Sequence, residues 1–455
     1  MRHVRQSLTR ARLGAVRRGA VARVLRQEGS MPLDSHPALA NLVDDGEVFR
    51  IHNRLYHDPA IFQAELRHIF STTWVYVGHV SEVPEVGDYK SATIATQPVI
   101  VSHHEDGEIY VLFNRCRHRG TVVCRDDSGH SNYFRCPYHN WVYANDGALV
   151  GVSMADGYQD LDKGGLGLQR IPRTGVHRGF IFASLADRGP SLEQHLAPLQ
   201  KYIDRWLARS PDGEVRVLPT AHRFEYPGNW KWQAENGTDS YHGNYVHESW
   251  QRVLQRAGES RVKDVRAFRS AGCARGFDHG HALLERPAGL NPNASWTGRM
   301  MQTYPEYRQA MESRHDAESL EAVSAKLIIF VFPNMFMFDT HIRVIDPVRV
   351  DNTQIRFHVY ALNGVPEEMN THRYRAHERF FGPAGFGTPD DMEIFNASET
   401  GMRATAVDWS LLNRGQHREA RDGAERVGDI NDETTTRSLY REWKRLMATG
   451  DGADR

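Results

Sequence analysis

Two short segments constrain this chain more than anything else in it. They are Cys116-Arg117-His118-Arg119-Gly120 and, with 17 residues between His118 and its first cysteine, Cys136-Pro137-Tyr138-His139. Each offers one thiolate and one imidazole, and two loops one hairpin apart can bring all four side chains to one point. Two metal groups use such a set. One is a tetrahedral zinc. The other is a [2Fe–2S] cluster whose thiolates hold one iron and whose imidazoles hold the other. Zinc ribbons usually pair like with like, Cys-x2-Cys or His-x3–5-His. Here each loop is mixed, as an asymmetric cluster requires, because each loop must reach both irons. Histidine ligation also raises the potential above that of an all-cysteine cluster, which suits a centre that accepts electrons from a carrier.

The surroundings agree. From Trp74 to about Leu185 the chain is a series of short β-like runs, WVYVGHV, PVIVSHH, EIYVLFN, WVYANDG and GFIFASL, split by Gly, Asp and Asn. They predict a small all-β domain over 71–190. Asp58–Phe70 reads as an amphipathic helix with Ile61, Leu66, Ile69 and Phe70 on its apolar face. It is assigned with the rest of 31–70 to a second domain that resumes at 191 and runs to 455. That domain combines helical stretches near 191–206, 234–250, 369–381, 389–405 and 433–447 with strong strands in LIIFVFPNMFMFD and QIRFHVYALN. The fold class is therefore α+β, with an antiparallel sheet surrounded by helices in the larger domain. Alternating Phe330, Phe332, Phe336 and Phe338 are expected to pack in its core.

At 455 residues, 40% apolar and 25% charged, the chain is long enough for two or three cored domains. No run approaches the ~18–20 apolar residues of a spanning helix, so no membrane role is expected. A net charge of −1 gives no case for a nucleic-acid partner. Residues 1–30 are an exception, with eight arginines against Glu28 and no apolar stretch of signal-peptide length. They are expected to be either a basic, flexible tail or a mis-called upstream extension, the true start then being Met31, and the abrupt change of composition there favours the second. Four cysteines are too few for a disulfide scaffold, and their clustering among histidines points to metal in a cytoplasmic protein. Cys124, at the wrong offset for either loop, is expected to be a small buried thiol.

A second constellation lies in Asn229–His247. Asp239 and His242 are three apart and share a helix face. His242 and His247 are five apart and diverge on an ideal helix, so both reach one metal only if the helix stops or bulges between them; Gly243 is the expected place. Two imidazoles and one carboxylate make a facial triad that leaves iron positions open for O2 and substrate. The best distant carboxylate is in Asp390-Asp391, placed near a helix start by Pro389. At least one of that pair is expected to be only helix N-terminal charge.

With these residues in place, the chain resembles the large subunits of aromatic-ring-hydroxylating Rieske oxygenases. CRHRG and CPYHNW resemble the family's cluster loops, GNWKWQAENGTDSYHGNYVH its iron-binding segment, and FFGPAGFGTPDDME the segment giving the third ligand. Thr121 and Tyr138 stand where respiratory Rieske proteins carry two more cysteines, which disfavours that branch. The resemblance implies a [2Fe–2S] cluster on Cys116, His118, Cys136 and His139, and Fe(II) on His242, His247 and Asp391. It gives Asp239 as the electron bridge between subunits and Asn236 a lesser role near the iron. It implies a dioxygenase making cis-dihydrodiols, closest to the benzoate, anthranilate and halobenzoate type, with the p-cumate type also near. A separate reductase, possibly with a ferredoxin, would bring electrons from NAD(P)H, since no GxGxxG fingerprint follows a strand here. A trimer with a small β subunit is expected. A monooxygenase or O-demethylase on the same scaffold is the alternative within the class, and a zinc-dependent binding protein the alternative outside it. No arginine for a substrate carboxylate can be chosen from spacing alone.

Overall fold

The β-like runs after Trp74 are strands in the computed structural model, which describes residues 39–259, 271–288 and 295–448. The basic leader and Met31 lie outside the described residues. Asp88–Ile94, Gln97–His103 and Ile109–Phe113 form an antiparallel sheet that Ser128–His130 extends. Tyr133–Arg135, Val142–Ala144 and Leu149–Gly151 form a second, and Val75–His79, Arg173–His177 and Phe180–Ser184 a third. Between them Ile100, Leu112, Phe134, Trp141 and Tyr143 pack with Cys116, Cys124 and Cys136 in one apolar cluster. Both loop cysteines are thus rooted in a close-packed core, and Cys124 is the buried thiol expected of it, its pKa pushed up to about 12 by burial.

The larger part is built on a nine-stranded antiparallel sheet. Its strands, numbered here in chain order, are β1 Val215–Tyr226, β2 Cys273–Gly276, β3 Ala282–Arg286, β4 Lys326–Val331, β5 Met335–Met337, β6 His341–Arg349, β7 Asn352–Leu362, β8 Ala420–Asp422 and β9 Glu425–Asp429. The spatial order is β1-β7-β6-β5-β4-β3-β2-β9-β8. One face carries Leu327, Ile329, Met335, Met337, Ile342 and Val344 into a core shared with Tyr76, Phe180 and Phe182 of the all-β part. The other face is set by one rung of register: His222, Phe357, Arg343, Phe336, Phe330 and Ala282 are successive cross-strand partners and so point the same way. Phe330, Phe332, Phe336 and Phe338 are all buried, as their alternation implied.

Helices cover that second face: α1 Trp230–Asn236, α2 Gly243–Val246, α3 Glu248–Arg256, α4 Glu367–Phe381, α5 Gly387–Gly401 and α6 Thr434–Ala448. The sheet and helix classes match the α+β expectation. Residues 39–70 sit against α1 and α6: Glu65 accepts from Lys231 Nζ at 2.6 Å, Trp230 Nε1 at 2.8 Å and Trp443 Nε1 at 2.7 Å. Tyr56 donates to Glu235 at 2.7 Å. The expected helix at 58–70 starts at Pro59, capped by Asp58, and widens to a π turn over Leu66–Phe70. The stretch 191–206 is two helices, Leu192–Leu196 and Gln200–Leu207. The described part of 271–324 holds β2, β3 and the helices Trp296–Thr303, Pro305–Glu312 and Ala317–Ser324.

Candidate metal centres

The two Cys/His loops share one backbone design. In each, the residue four after the cysteine donates back to the cysteine carbonyl, Gly120 at 2.9 Å and Asn140 at 3.0 Å. In each, the cysteine N–H donates to the residue five after it, Thr121 and Trp141, at 2.8 Å. The turn closes through a left-handed residue at the same offset, Gly120 at φ 75° and Asn140 at φ 54°; Gly and Asn are the residues that tolerate this conformation. The loops differ in where the imidazole sits, two residues after Cys116 and three after Cys136. The rings of His118 and His139 lie 4.5 Å apart, and Trp141 stacks on His118 at 5.1 Å.

This donor set fits a two-iron cluster. The Nδ1 atoms of both histidines are buried without a hydrogen-bond partner, which is costly unless something else binds them. The Cys136 thiol is pushed up by burial and by the neighbouring Cys116 thiol, and the Cys116 Sγ lies 3.2 Å from the Tyr143 hydroxyl. Two neighbouring thiols and two unpartnered imidazole nitrogens are the donor types that an asymmetric two-iron cluster uses.

In the second centre, α1 ends at Asn236, capped at its start by Asn229. The chain then turns through Asp239 to the short α2, preceded directly by His242 and followed by His247. Asp239 is therefore not on a helix face shared with His242. The helical break falls at His247, at φ −98° and ψ 28°, and not at Gly243, which is helical. The reason is length: with Asn236 and His247 both ending helices, a single turn separates the two imidazoles and both swing to one side.

His242, His247 and Asp391 each present a ligand atom within 4.8 Å of the other two. Asp391 Oδ1 is 3.6 Å from His242 Nε2 and 3.3 Å from His247 Nε2. Asn236 Nδ2 donates to Asp391 Oδ1 at 3.1 Å and lies 3.2 Å from His242 Nε2. Behind each ring stands a carboxylate, Asp239 Oδ2 at 3.3 Å from His242 Nδ1 and Asp390 Oδ2 at 3.5 Å from His247 Nδ1. At His247 the contact is a hydrogen bond, of the kind that fixes a metal-bound imidazole's tautomer and turns its Nε2 inward; at His242 it is a charge contact without hydrogen-bond geometry. Burial depresses His242, but Asp239 and Asp391 outweigh it and its pKa is raised; for His247 burial wins and its pKa is lowered. Two imidazoles and one buried carboxylate converging on one point fit the donor set of a mononuclear iron site with open positions. Asp390, exposed enough to serve the start of α5, adds this contact with His247 to its helix-terminal role.

Residues 73–161 match the Rieske [2Fe-2S] domain, and residues 215–449 match the ring hydroxylating alpha subunit catalytic domain. The chain belongs to the ring-hydroxylating oxygenase α subunits. It is 32% identical to the 2-halobenzoate 1,2-dioxygenase large subunit of Burkholderia cepacia over 85% of both chains. It is 30% identical to the anthranilate 1,2-dioxygenase large subunit of Acinetobacter baylyi, covering 90% of this chain and 91% of that one. The naphthalene 1,2-dioxygenase structure from Rhodococcus sp. bound to indole superimposes with a TM-score of 0.78 at 26% identity, covering 92% and 98% of the two chains. A ring-hydroxylating dioxygenase α subunit is an oxidoreductase, and its cofactors are a Rieske cluster and a mononuclear iron; this sets aside the zinc-dependent binding protein. Among the described residues no helix is long and apolar enough to cross a membrane.

The α subunit holds features that spacing did not signal. A second set of candidate metal donors, His222, His377 and Glu378, joins β1 to α4. Its atoms already bond one another, His377 Nε2 to His222 Nδ1 at 3.3 Å and His222 Nε2 to Glu378 at 3.0 Å. Arg343 is buried on the iron-side face of the sheet.

Proposed function

We propose that this α subunit adds both atoms of O2 to an aromatic carboxylate of the benzoate type, forming a cis-dihydrodiol. The supporting observation is the convergence of His242 Nε2, His247 Nε2 and Asp391 Oδ1, with a carboxylate behind each imidazole. The substrate class is supported by the halobenzoate and anthranilate enzymes among the relatives. Cys116, Cys136, His118 and His139 would hold the cluster, and His242, His247 and Asp391 the Fe(II). When bound, the iron activates O2 at its open positions and the cluster stores one of the two electrons the reaction consumes along with two protons.

The remaining residues position these groups. Asn236 fixes one oxygen of Asp391, leaving the carboxylate a single favoured direction. Asp239, one-third exposed, touches His242 on the side away from Asp391. It is the bridge by which the cluster of a neighbouring subunit reaches this site in a trimer, with a small β subunit completing the assembly. A reductase, with a ferredoxin where one intervenes, supplies electrons from NAD(P)H in the cytoplasm.

The test is turnover of the holoenzyme with reductase under 18O2 on benzoates, anthranilates, cumates and neutral arenes. A cis-dihydrodiol carrying two labelled oxygens, formed best from an aromatic carboxylate, is expected. A phenol with one labelled oxygen, or aldehyde released by O-demethylation, refutes dioxygenation. Preference for neutral arenes refutes the substrate class.

A further inference from the structure

Buried cations in this protein are generally matched by carboxylates. Lys90 pairs with Glu82, Lys231 with Glu65, Arg209 with Asp339 and Arg356 with Asp346, each at 2.6 Å. Arg343, the third residue of β6 and 2% exposed, is different. Among the described residues its guanidinium has no ion-pair or hydrogen-bond partner, and its Nε is buried without an acceptor. It is held instead by aromatic faces, 4.3 Å from the ring centre of Phe357, 4.5 Å from Phe338 and 5.5 Å from Phe381. Such faces attract a cation but leave five N–H donors without acceptors. An isolated buried charge is unfavourable, so the arrangement is suited to an anion that comes from outside the chain.

The rung of register says where that anion would lie. Arg343 is cross-strand partner to Phe336, and Phe336 packs so tightly beneath Gly237 that a Cβ there would run into its ring. Gly237 follows Asn236, which holds Asp391. The Arg343 charge and the Asp391 carboxylate feel one another: burial lowers the Arg343 pKa to about 10, and Asp391 partly offsets this. Asp391 does not serve as its partner: among the described residues no ion pair or hydrogen bond joins the two, and Asp391 Oδ1 faces Asn236 and the two imidazoles. Two other cations share this sheet face. Arg286 and Lys326 are partners on β3 and β4, but they stand four residues along from the Ala282–Phe330 rung, about 13 Å at ~3.3 Å per residue. Arg286 also already donates to Ser240 Oγ at 2.6 Å. Arg373, likewise without a carboxylate, stacks on Trp296 and Tyr360 in the core on the opposite face.

We infer that Arg343 binds the carboxylate of the substrate and so directs the attached aromatic ring toward His242, His247 and Asp391. This rests on the aromatic-carboxylate reading given above and names the residue that selects it. A planar guanidinium takes a carboxylate in a two-bond fork that a lysine cannot reproduce.

The experiment is equilibrium dialysis of the holoenzyme with benzoate and with nitrobenzene, which has the same shape and no charge. Wild type is expected to prefer benzoate. R343M, which keeps an unbranched apolar stem among the phenylalanines, is expected to lose benzoate binding by roughly 100-fold or more while nitrobenzene changes by less than about threefold. R343K, retaining charge without the fork, should fall between for benzoate alone. Equal losses for both ligands, or benzoate binding that survives R343M, overturn the assignment and leave Arg343 as a packing element. A wild type that binds nitrobenzene and not benzoate overturns the substrate class itself, and the assignment with it. If R343M does not carry the cluster's visible spectrum, R343K decides between the same outcomes.

Discussion

Asp390 and Asp391 test the difference between a carboxylate that would steer a metal ligand and one that would be a ligand. Asp390 Oδ2 stands 3.5 Å from His247 Nδ1 and 3.4 Å from Ser249 Oγ, and its side chain is 30% exposed. Removing the partner of a metal-bound imidazole costs roughly 10–100-fold in metal affinity. A contact this long, shared with a serine and reached by water, belongs at the lower end. Asp390→Asn is expected to weaken Fe(II) binding about tenfold, worth ~1.4 kcal/mol, without moving the cluster's absorption. Asp391→Asn, by contrast, removes the charged donor between the two imidazoles and should leave no stoichiometric iron site. The assay is Fe(II) titration of enzyme stripped of mononuclear iron by a chelator that spares the cluster. If D390N binds iron like wild type, the contact with His247 does nothing and Asp390 is helix charge only. If it loses iron as completely as D391N, the wrong member of the pair has been assigned to the metal.

Three further outcomes follow from groups on either side of that site. In iron-free enzyme Asp239 and Asp391 outweigh burial and raise the His242 pKa while His247 is depressed, so one proton must leave before metal enters; iron affinity should fall about tenfold per pH unit below the His242 pKa, and a slope of zero or two refutes this. Burial raises Glu235 to about 7, and Tyr56 and Tyr440 both donate to its Oε1. A carboxyl raised in the folded state stabilises below its unfolded pKa of ~4.3 and loses that contribution as pH rises to about 7, at ~1.4 kcal/mol per unit; E235Q should flatten this part of the denaturation profile, and a profile parallel to wild type counts against it. Glu65→Ala strands the buried Lys231 ammonium and should cost about 3–5 kcal/mol, read by denaturant unfolding; a change within error would mean water reaches Lys231.

The cluster loops were legible because their signal is local. Cys116 and Cys136 each begin the same turn, and the left-handed residue that closes it is Gly120 in one loop and Asn140 in the other, residue types chosen by backbone sterics that a sequence displays directly. The iron triad was half legible. The spacing required a helix interruption, but its place is set by α1 ending at Asn236 with Gly237 as its cap, and by the backbone of His247, rather than by Gly243. Gly243 drew attention because glycine is a common breaker, yet it sits in open space with ordinary helical backbone. Strands β2 and β3 are hard to read in the sequence because each is short; they pair with each other and otherwise depend on distant segments, β2 on β9 and β3 on β4. Arg343 was invisible for the same reason. Nothing in His-Ile-Arg-Val-Ile distinguishes a surface arginine from a buried one; its surroundings come from Phe357 and Phe381, supplied by β7 and α4.

The precision of the iron site is set far from the ligands. Asn236 can aim Asp391 only if the end of α1 is fixed, and α1 is clamped from both ends of the described chain. On one turn Lys231 and Trp230 bond Glu65, which also takes Trp443 of α6. On the next, Glu235 takes Tyr56 and Tyr440. The first clamp is a fully buried ion pair, whose desolvation makes it weak as a source of net stability but specific in direction. The Glu65→Ala variant therefore carries a second consequence that an apolar core mutation of equal cost does not share: releasing α1 should loosen Asn236 from Asp391 and reduce Fe(II) affinity while the cluster loops, which pack in a separate core, keep their spectrum.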